Sequence, residues 1–114
     1  MKRSRAHLIT LQIAILVLAP LSAFGEGPGW TAASTVVQVV NTSNGGVNVR
    51  LSPDLTGCTS QSGYGSHYAS IYWDHPGINR IKADLLVALT TGTKVMLYLN
   101  DSTCTVAEMR LGGM

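Results

Sequence analysis

The hydrophobic period of this chain changes twice, and that pair of changes restricts the fold more than any other feature. Before Asp74 the ordered-looking runs alternate with a period of two. "TVVQVV" (35–40) is rich in β-branched residues, and "VNVRLS" (47–52) sets Val47, Val49 and Leu51 against Asn48 and Arg50. Between them, Asn44-Gly45-Gly46 suits a turn that needs positive φ, so the two runs predict a hairpin. "HYASIYWD" (67–74) predicts a third strand. Tyr64, Tyr68 and Tyr72 also recur every four residues, but Gly63 and Gly65 interrupt that helical alternative. As a strand, it places Tyr68, Ser70 and Tyr72 outward and Ala69, Ile71 and Trp73 in the core.

From Asp74 to Gly92 the period becomes that of a helix. Ile78, Ile81, Leu85 and Ala88 or Leu89 form one stripe, Asp74 or His75 starts it, and Gly92 ends it. Arg80, Lys82 and Asp84 are expected on the wet side or its rim. Alternation then returns in "TKVMLYLN" (93–100) and "CTVAEMRL" (104–111). The order is therefore β-β-β-α-β-β: a mainly β chain with one helix. Five short strands around one small core avoid exposed edges best as a partly open, five-stranded, OB-fold-like barrel; a sandwich or a flat sheet under one helix is the rival arrangement.

The N-terminus belongs to targeting rather than folding. "MKRSRAH" is basic, "LITLQIAILVLAPLSA" is apolar, and Ala23 and Gly25 are small residues where a signal peptidase requires them. Residues 1–25 are expected as a signal peptide, cleaved before Glu26 or alternatively after Ala23. Pro20 interrupts the apolar run, which is marginal in length for an uncleaved anchor. Residues 26–33, rich in Gly and Pro, read as a flexible arm, and residues 34–114 as a single domain. Loss of Lys2, Arg3 and Arg5 leaves five basic against six acidic residues, one net negative charge. Such scattered charge has no footprint for nucleic acid and no basic stripe for anionic membranes. The expected location is secreted or periplasmic, with no membrane insertion after cleavage.

The exported remainder, about 89 residues, is small enough that its core leaves little margin. Its two cysteines, Cys58 and Cys104, are expected to pair as a disulfide tying the loop after the second strand to the start of the fifth. A metal is not expected: no C-x-x-C or H-x-x-H spacing occurs, and His67 and His75 lie too far apart along a strand to share an ion. Nor is a cofactor or catalytic residue. Ser66 or Ser70, His67 and Asp74 could be written as a triad, but "SGYGS" is no nucleophile elbow, since Tyr64 stands at its centre. Two sequons, Asn41-Thr42-Ser43 and Asn100-Asp101-Ser102, fall in predicted turns.

The run "LLVALTTGTKVMLYLNDSTC" carries a further signal. A helix ends at Gly92, Val95, Leu97 and Leu99 alternate, and Cys104 follows. This pattern resembles small exported bacterial proteins similar to the OB-fold binding subunits of subtilase- and pertussis-type toxins. The quoted run covers less than a quarter of the exported chain. The resemblance implies a fold more than a function. No sugar-binding residue of those subunits matches a position here. The function expected is a non-enzymatic exported binding module for a glycan or protein surface, with Tyr64, Tyr68, Tyr72 and His67 as binding residues. Exposed tyrosines suit that role because large rigid rings lose little entropy on binding. The alternatives are an envelope accessory protein with only a subunit-contact surface, or a small exported enzyme or inhibitor. A homo-oligomer is a further expected partner state.

Overall fold

The structure is a computed structural model and describes residues 26–114. The expected signal peptide lies outside the described residues. The elements are β1 (Gly29–Trp30), β2 (Thr35–Asn41), β3 (Val47–Ser52), β4 (Tyr68–Ile71), α1 (Ile78–Thr91), β5 (Val95–Leu99) and β6 (Val106–Leu111), with one short 3-10 turn at Gln61–Gly63. Among the described residues the fold is thus mainly β with one α-helix. Its strands form two antiparallel sheets, in the orders β1-β5-β6 and β2-β3-β4.

The two sheets touch at two points. Ser34 bridges Val95, with backbone hydrogen bonds of 2.9 and 2.8 Å, so the stretch from β1 into β2 serves both sheets in turn. Ser70 of β4 bridges Thr105 in parallel fashion just before β6. Residues 26–33, expected as a loose arm, are instead docked. Gly29 and Trp30 pair with Leu99 and Tyr98, and Thr31 N–H donates to the Leu97 carbonyl. A two-residue strand containing glycine is too short to show a period, which is why only extension could be expected.

The core follows the alternation. Val47, Val49 and Leu51 of β3, Ala69 and Ile71 of β4, Val95, Leu97 and Leu99 of β5 and Val106 of β6 are buried together. Ile81, Leu85 and Ala88 of α1 close over them, as their spacing predicts. The helix stops where Gly92 adopts φ 74° and its N–H donates to the Ala88 carbonyl at 2.9 Å. A left-handed residue there favours glycine because a Cβ in that conformation comes too close to the following carbonyl oxygen. The helix's outer side departs from expectation. Leu86, Val87 and Leu89 are exposed alongside the charged residues of its first turns.

The cysteines pair, with Cα atoms 5.2 Å apart. This bond fastens the long loop between β3 and β4 to the β5–β6 turn, and it explains a correction. The outward face of β3 and β4 is not solvent-facing, because that loop lies over it. Gln61 sits at its centre. Its amide nitrogen reaches the Val47 and Ile71 carbonyls at 3.2 and 3.1 Å, and its own backbone carbonyl accepts from Asn48 Nδ2 at 2.9 Å. Ser70 Oγ donates to Asn48 Oδ1 and accepts the Gln61 N–H. Asn48, Gln61 and Ser70 are all buried, and this network satisfies their polar atoms.

Tyr68, expected outward, is accordingly only 9 % exposed. Trp73, expected in the core, is 65 % exposed. The reason is that β4 ends at Ile71, so the alternation that would point Trp73 inward no longer applies.

Among the described residues no helix is long and apolar enough to cross a membrane.

Candidate functional site

The four residues expected to bind a ligand fall into two places. Tyr64, 47 % exposed, packs edge-on against Tyr68 with ring centroids 5.8 Å apart. The Tyr68 hydroxyl donates to Gln38 Oε1, and the Arg50 guanidinium lies 6.0 Å from its ring centre. His67 Nδ1 lies 2.7 Å from the Leu55 carbonyl. A carbonyl only accepts, so Nδ1 carries the proton and is committed to holding the loop. Tyr72 stands elsewhere, beyond the end of β4.

A cleft of 530 Å³ adjoins the first group, lined by Val37, Gln38, Arg50, Leu51, Ser52 and Asp54. Its charges already satisfy each other. Arg50 Nε and Nη2 donate to the two Asp54 carboxylate oxygens at 2.9 and 3.1 Å. These bonds hold the Asp54 carboxyl below its ordinary range and raise Arg50 in turn. A self-neutralised, half-exposed pair offers a ligand little, although the cleft is the larger one.

The second place is built by turn chemistry. After Ile71 the chain reverses, and His75 N–H donates to the Tyr72 carbonyl at 3.0 Å. Pro76 and Gly77 delay the first helical bond until Ile81 N–H reaches the Gly77 carbonyl. Trp73 and Asp74 thus occupy the corner of a turn and project into solvent. His75 locks this turn at both ring nitrogens. Nδ1 accepts the Gly77 N–H at 2.9 Å, and Nε2 lies 2.7 Å from the Ala107 carbonyl. The ring is therefore the neutral Nε2–H tautomer. Ala107 is available because β6 carries an irregularity there: Tyr98 faces Glu108 and Leu99 faces Val106, which leaves Ala107 without a partner.

The opposite wall is the β5–β6 turn. Asn100 N–H donates to the Thr105 carbonyl at 2.8 Å. Asp101 Oδ1 gathers the Thr103 N–H, the Thr103 hydroxyl and the Thr105 N–H at 3.1, 2.8 and 3.1 Å. Partial burial opposes ionisation of Asp101, but hydrogen bonds from Thr105 and Thr103 outweigh it and hold the carboxyl below its ordinary range. Cys104, at φ 72°, is anchored by the disulfide.

Between these walls lies a cleft of 420 Å³ lined by Tyr72, Trp73, Asp74, His75, Asn100, Thr105 and Val106. Tyr72 is 36 % exposed. Asp74 and Asn100 present a carboxylate and an amide to solvent. The arrangement offers aromatic faces beside hydrogen-bonding groups, held by a locked turn and a disulfide. The residues that could have been written as a triad are not assembled here. Ser70 is sequestered in the buried network, and His67 is bound to the Leu55 carbonyl. Among the described residues, no group of three or more His, Cys, Asp or Glu is placed to hold a metal ion.

In the sequence, Asp74 stands out only in a discarded triad and as a helix start, and nothing singles out Trp73, Asn100 or Thr105 for binding; all four line this cleft. The run Asp74-His75-Pro76-Gly77 was the available signal. It reads as a turn, and a strand stopped before it would have put Trp73 on the surface.

Comparison with protein-family models finds no match, and comparison with curated proteins finds none either.

Proposed function

We propose that this chain is an exported, non-enzymatic binding module that holds a saccharide in the cleft between the Tyr72–His75 turn and the β5–β6 turn. One observation carries the reading: a tryptophan that could have served a small core stands exposed beside Tyr72, Asp74 and Asn100. Sugar rings present apolar C–H faces and rims of hydroxyl groups. Aromatic planes cover the former, while carboxylates and amides bond the latter. The hydrogen bonds of His75 and Asp101 pre-organise both walls, so little ordering entropy is lost on binding. The disulfide fits an exported protein.

The fold reading proposed with it is an OB-type, partly open barrel, similar to the binding subunits of subtilase- and pertussis-type toxins. Its support is the pairing order. The β1–β2 stretch meets both β5 and β3, and β4 approaches the start of β6 in parallel at Ser70 and Thr105. A glycan array probed with the purified protein tests the function. Retention of defined saccharides, lost in Trp73→Ala, supports it; an array with no retained saccharide overturns it.

A second reading, a subunit contact between copies, draws on the exposed Leu86, Val87 and Leu89 of α1. A mass that doubles or more by light scattering at micromolar concentration supports it. A monomer at every concentration removes it.

A further inference from the structure

Trp73 lines one cleft and also stands beside a residue of another. Its Cβ lies against the tip of the β2–β3 hairpin, where a Cβ built on Gly45 would come within 3.3 Å of it. Gly45 lines a separate cleft of 300 Å³ that runs between the hairpin and the first turn of α1. Ile78 contributes an apolar side chain to that cleft, and Asn41, Asn79 and Lys82 contribute polar ones. Asn41 and Asn79 are exposed, and Lys82 is half-buried. Trp73 lines the first cleft and its Cβ stands next to Gly45, which lines the second, so the two clefts are neighbours across this residue.

This neighbourhood is fixed from both sides. On the hairpin side, Asn44 Oδ1 accepts the Gly46 N–H at 3.0 Å, and Asn44 Nδ2 donates to Gln61 Oε1 at 3.1 Å. On the other side, His75 ties the aromatic turn to β6. Gly45 takes φ 87°, a conformation that disfavours any side chain, so the contact with Trp73 stays close.

We infer that the binding site is extended: its ligand is an oligosaccharide that crosses Trp73, with one ring beside Tyr72 and Asn100 and the next in the hairpin–helix cleft against Asn79 and Lys82. This inference rests on the saccharide reading above and names the size class of the ligand. Taken singly, the clefts are at the small end for ligand sites, which run from about 300 to 1,000 Å³. Joined across an exposed indole, they match a chain of rings. The second cleft has its own chemistry, since the Lys82 ammonium only donates and the Asn79 amide donates and accepts, as a hydroxylated chain requires.

The test uses an array of mono-, di-, tri- and tetrasaccharides that share each terminal sugar. It is probed with the wild type, Trp73→Ala and the double variant Asn79→Ala/Lys82→Ala, each checked for an unchanged circular dichroism spectrum. The wild type is expected to bind the longer members about tenfold more tightly than the matched monosaccharide, the ratio that one additional modest contact supplies. In the double variant that ratio falls to within about twofold. Wild-type binding that needs Trp73 but ignores chain length overturns the extended site and leaves the saccharide reading intact. A length preference that survives the double variant places the second ring elsewhere and also overturns it. No retention of any saccharide by the wild type overturns both.

Discussion

Replacing Gln61 with alanine removes a side chain that joins the covering loop to the β2–β3 hairpin and the end of β4. Its amide nitrogen serves the Val47 and Ile71 carbonyls, and its Oε1 receives Asn44 Nδ2. Both carbonyls belong to buried residues, which face each other across β3 and β4. Leaving a buried acceptor without its donor costs about 1–3 kcal/mol. Water entering the vacated space recovers part of that, so the expected loss is about 2–4 kcal/mol, a large share of the 5–15 kcal/mol typical of a domain. Urea unfolding measures it, and the midpoint should fall by about 1–2 M. A second perturbation checks the mechanism. A Cβ on Gly46 would lie 2.1 Å from Gln61 Oε1, with the Gln61 Cδ and Nε2 both at 2.7 Å. A free side-chain end would swing away cheaply, but this one is pinned by its hydrogen bonds. Gly46→Ala should therefore destabilise strongly in the wild type and only slightly in the Gln61→Ala background, a coupling of about 1–3 kcal/mol. Additive effects, or a Gln61→Ala cost below about 0.5 kcal/mol, would refute the reasoning.

Three other expectations are simpler to state. Changing Cys58 and Cys104 to alanine frees a link spanning 46 residues, and the chain-entropy relation gives a loss of about 4 kcal/mol, measurable as a drop in the urea midpoint; an unchanged midpoint contradicts it. Trp73→Ala should cost less than about 1 kcal/mol because the ring is largely in water, whereas Leu97→Ala in the core should cost about 2–5 kcal/mol; equal melting temperatures would mean that Trp73 is packed after all. Asp101 is ionised more readily when folded, so its stabilisation is complete above the ordinary carboxyl pKa of 3.8 and is lost as pH falls through its lower folded value. Asp101→Asn should therefore flatten the acid limb of a stability–pH curve below pH 3.8, and an unaltered limb would remove Asp101 from the account.

How far the sequence anticipates this molecule can be argued from particular residues. Val47, Val49 and Leu51, and later Val95, Leu97 and Leu99, alternate because one face of each strand is core, and the structure buries all six. Gly92 ends α1, and Cys58 meets Cys104. Part of what escaped has one physical cause. A face covered by an irregular loop has no period, so Asn48 and Ser70 read as surface while Gln61 buries them. The same cover took Tyr68 out of solvent. Trp73 escaped for the opposite reason. Alternation with Ala69 and Ile71 argued for the core, but β4 ends at Ile71 and the turn before Pro76 and Gly77 carries Trp73 outward instead. Asn100 and Thr105 are brought to the site by the register of β5 against β6 and by the fold of the Asp101 turn. The register is not a property of any one segment.

The central claim is that Trp73 is the ligand-contacting ring, and the chain offers an internal control for it. It has two tryptophans, and both are exposed. Trp30 lies on the other sheet, edge-on to Tyr98 at 5.3 Å and beneath Arg110 at 5.7 Å. A proton–nitrogen correlation spectrum of the labelled protein therefore gives two indole N–H signals, assigned by Trp30→Phe and Trp73→Phe. Titration with a saccharide retained on the array should move the Trp73 signal and leave that of Trp30 in place. Movement of the Trp30 signal alone would shift the site to the Trp30–Tyr98–Arg110 surface and contradict the account.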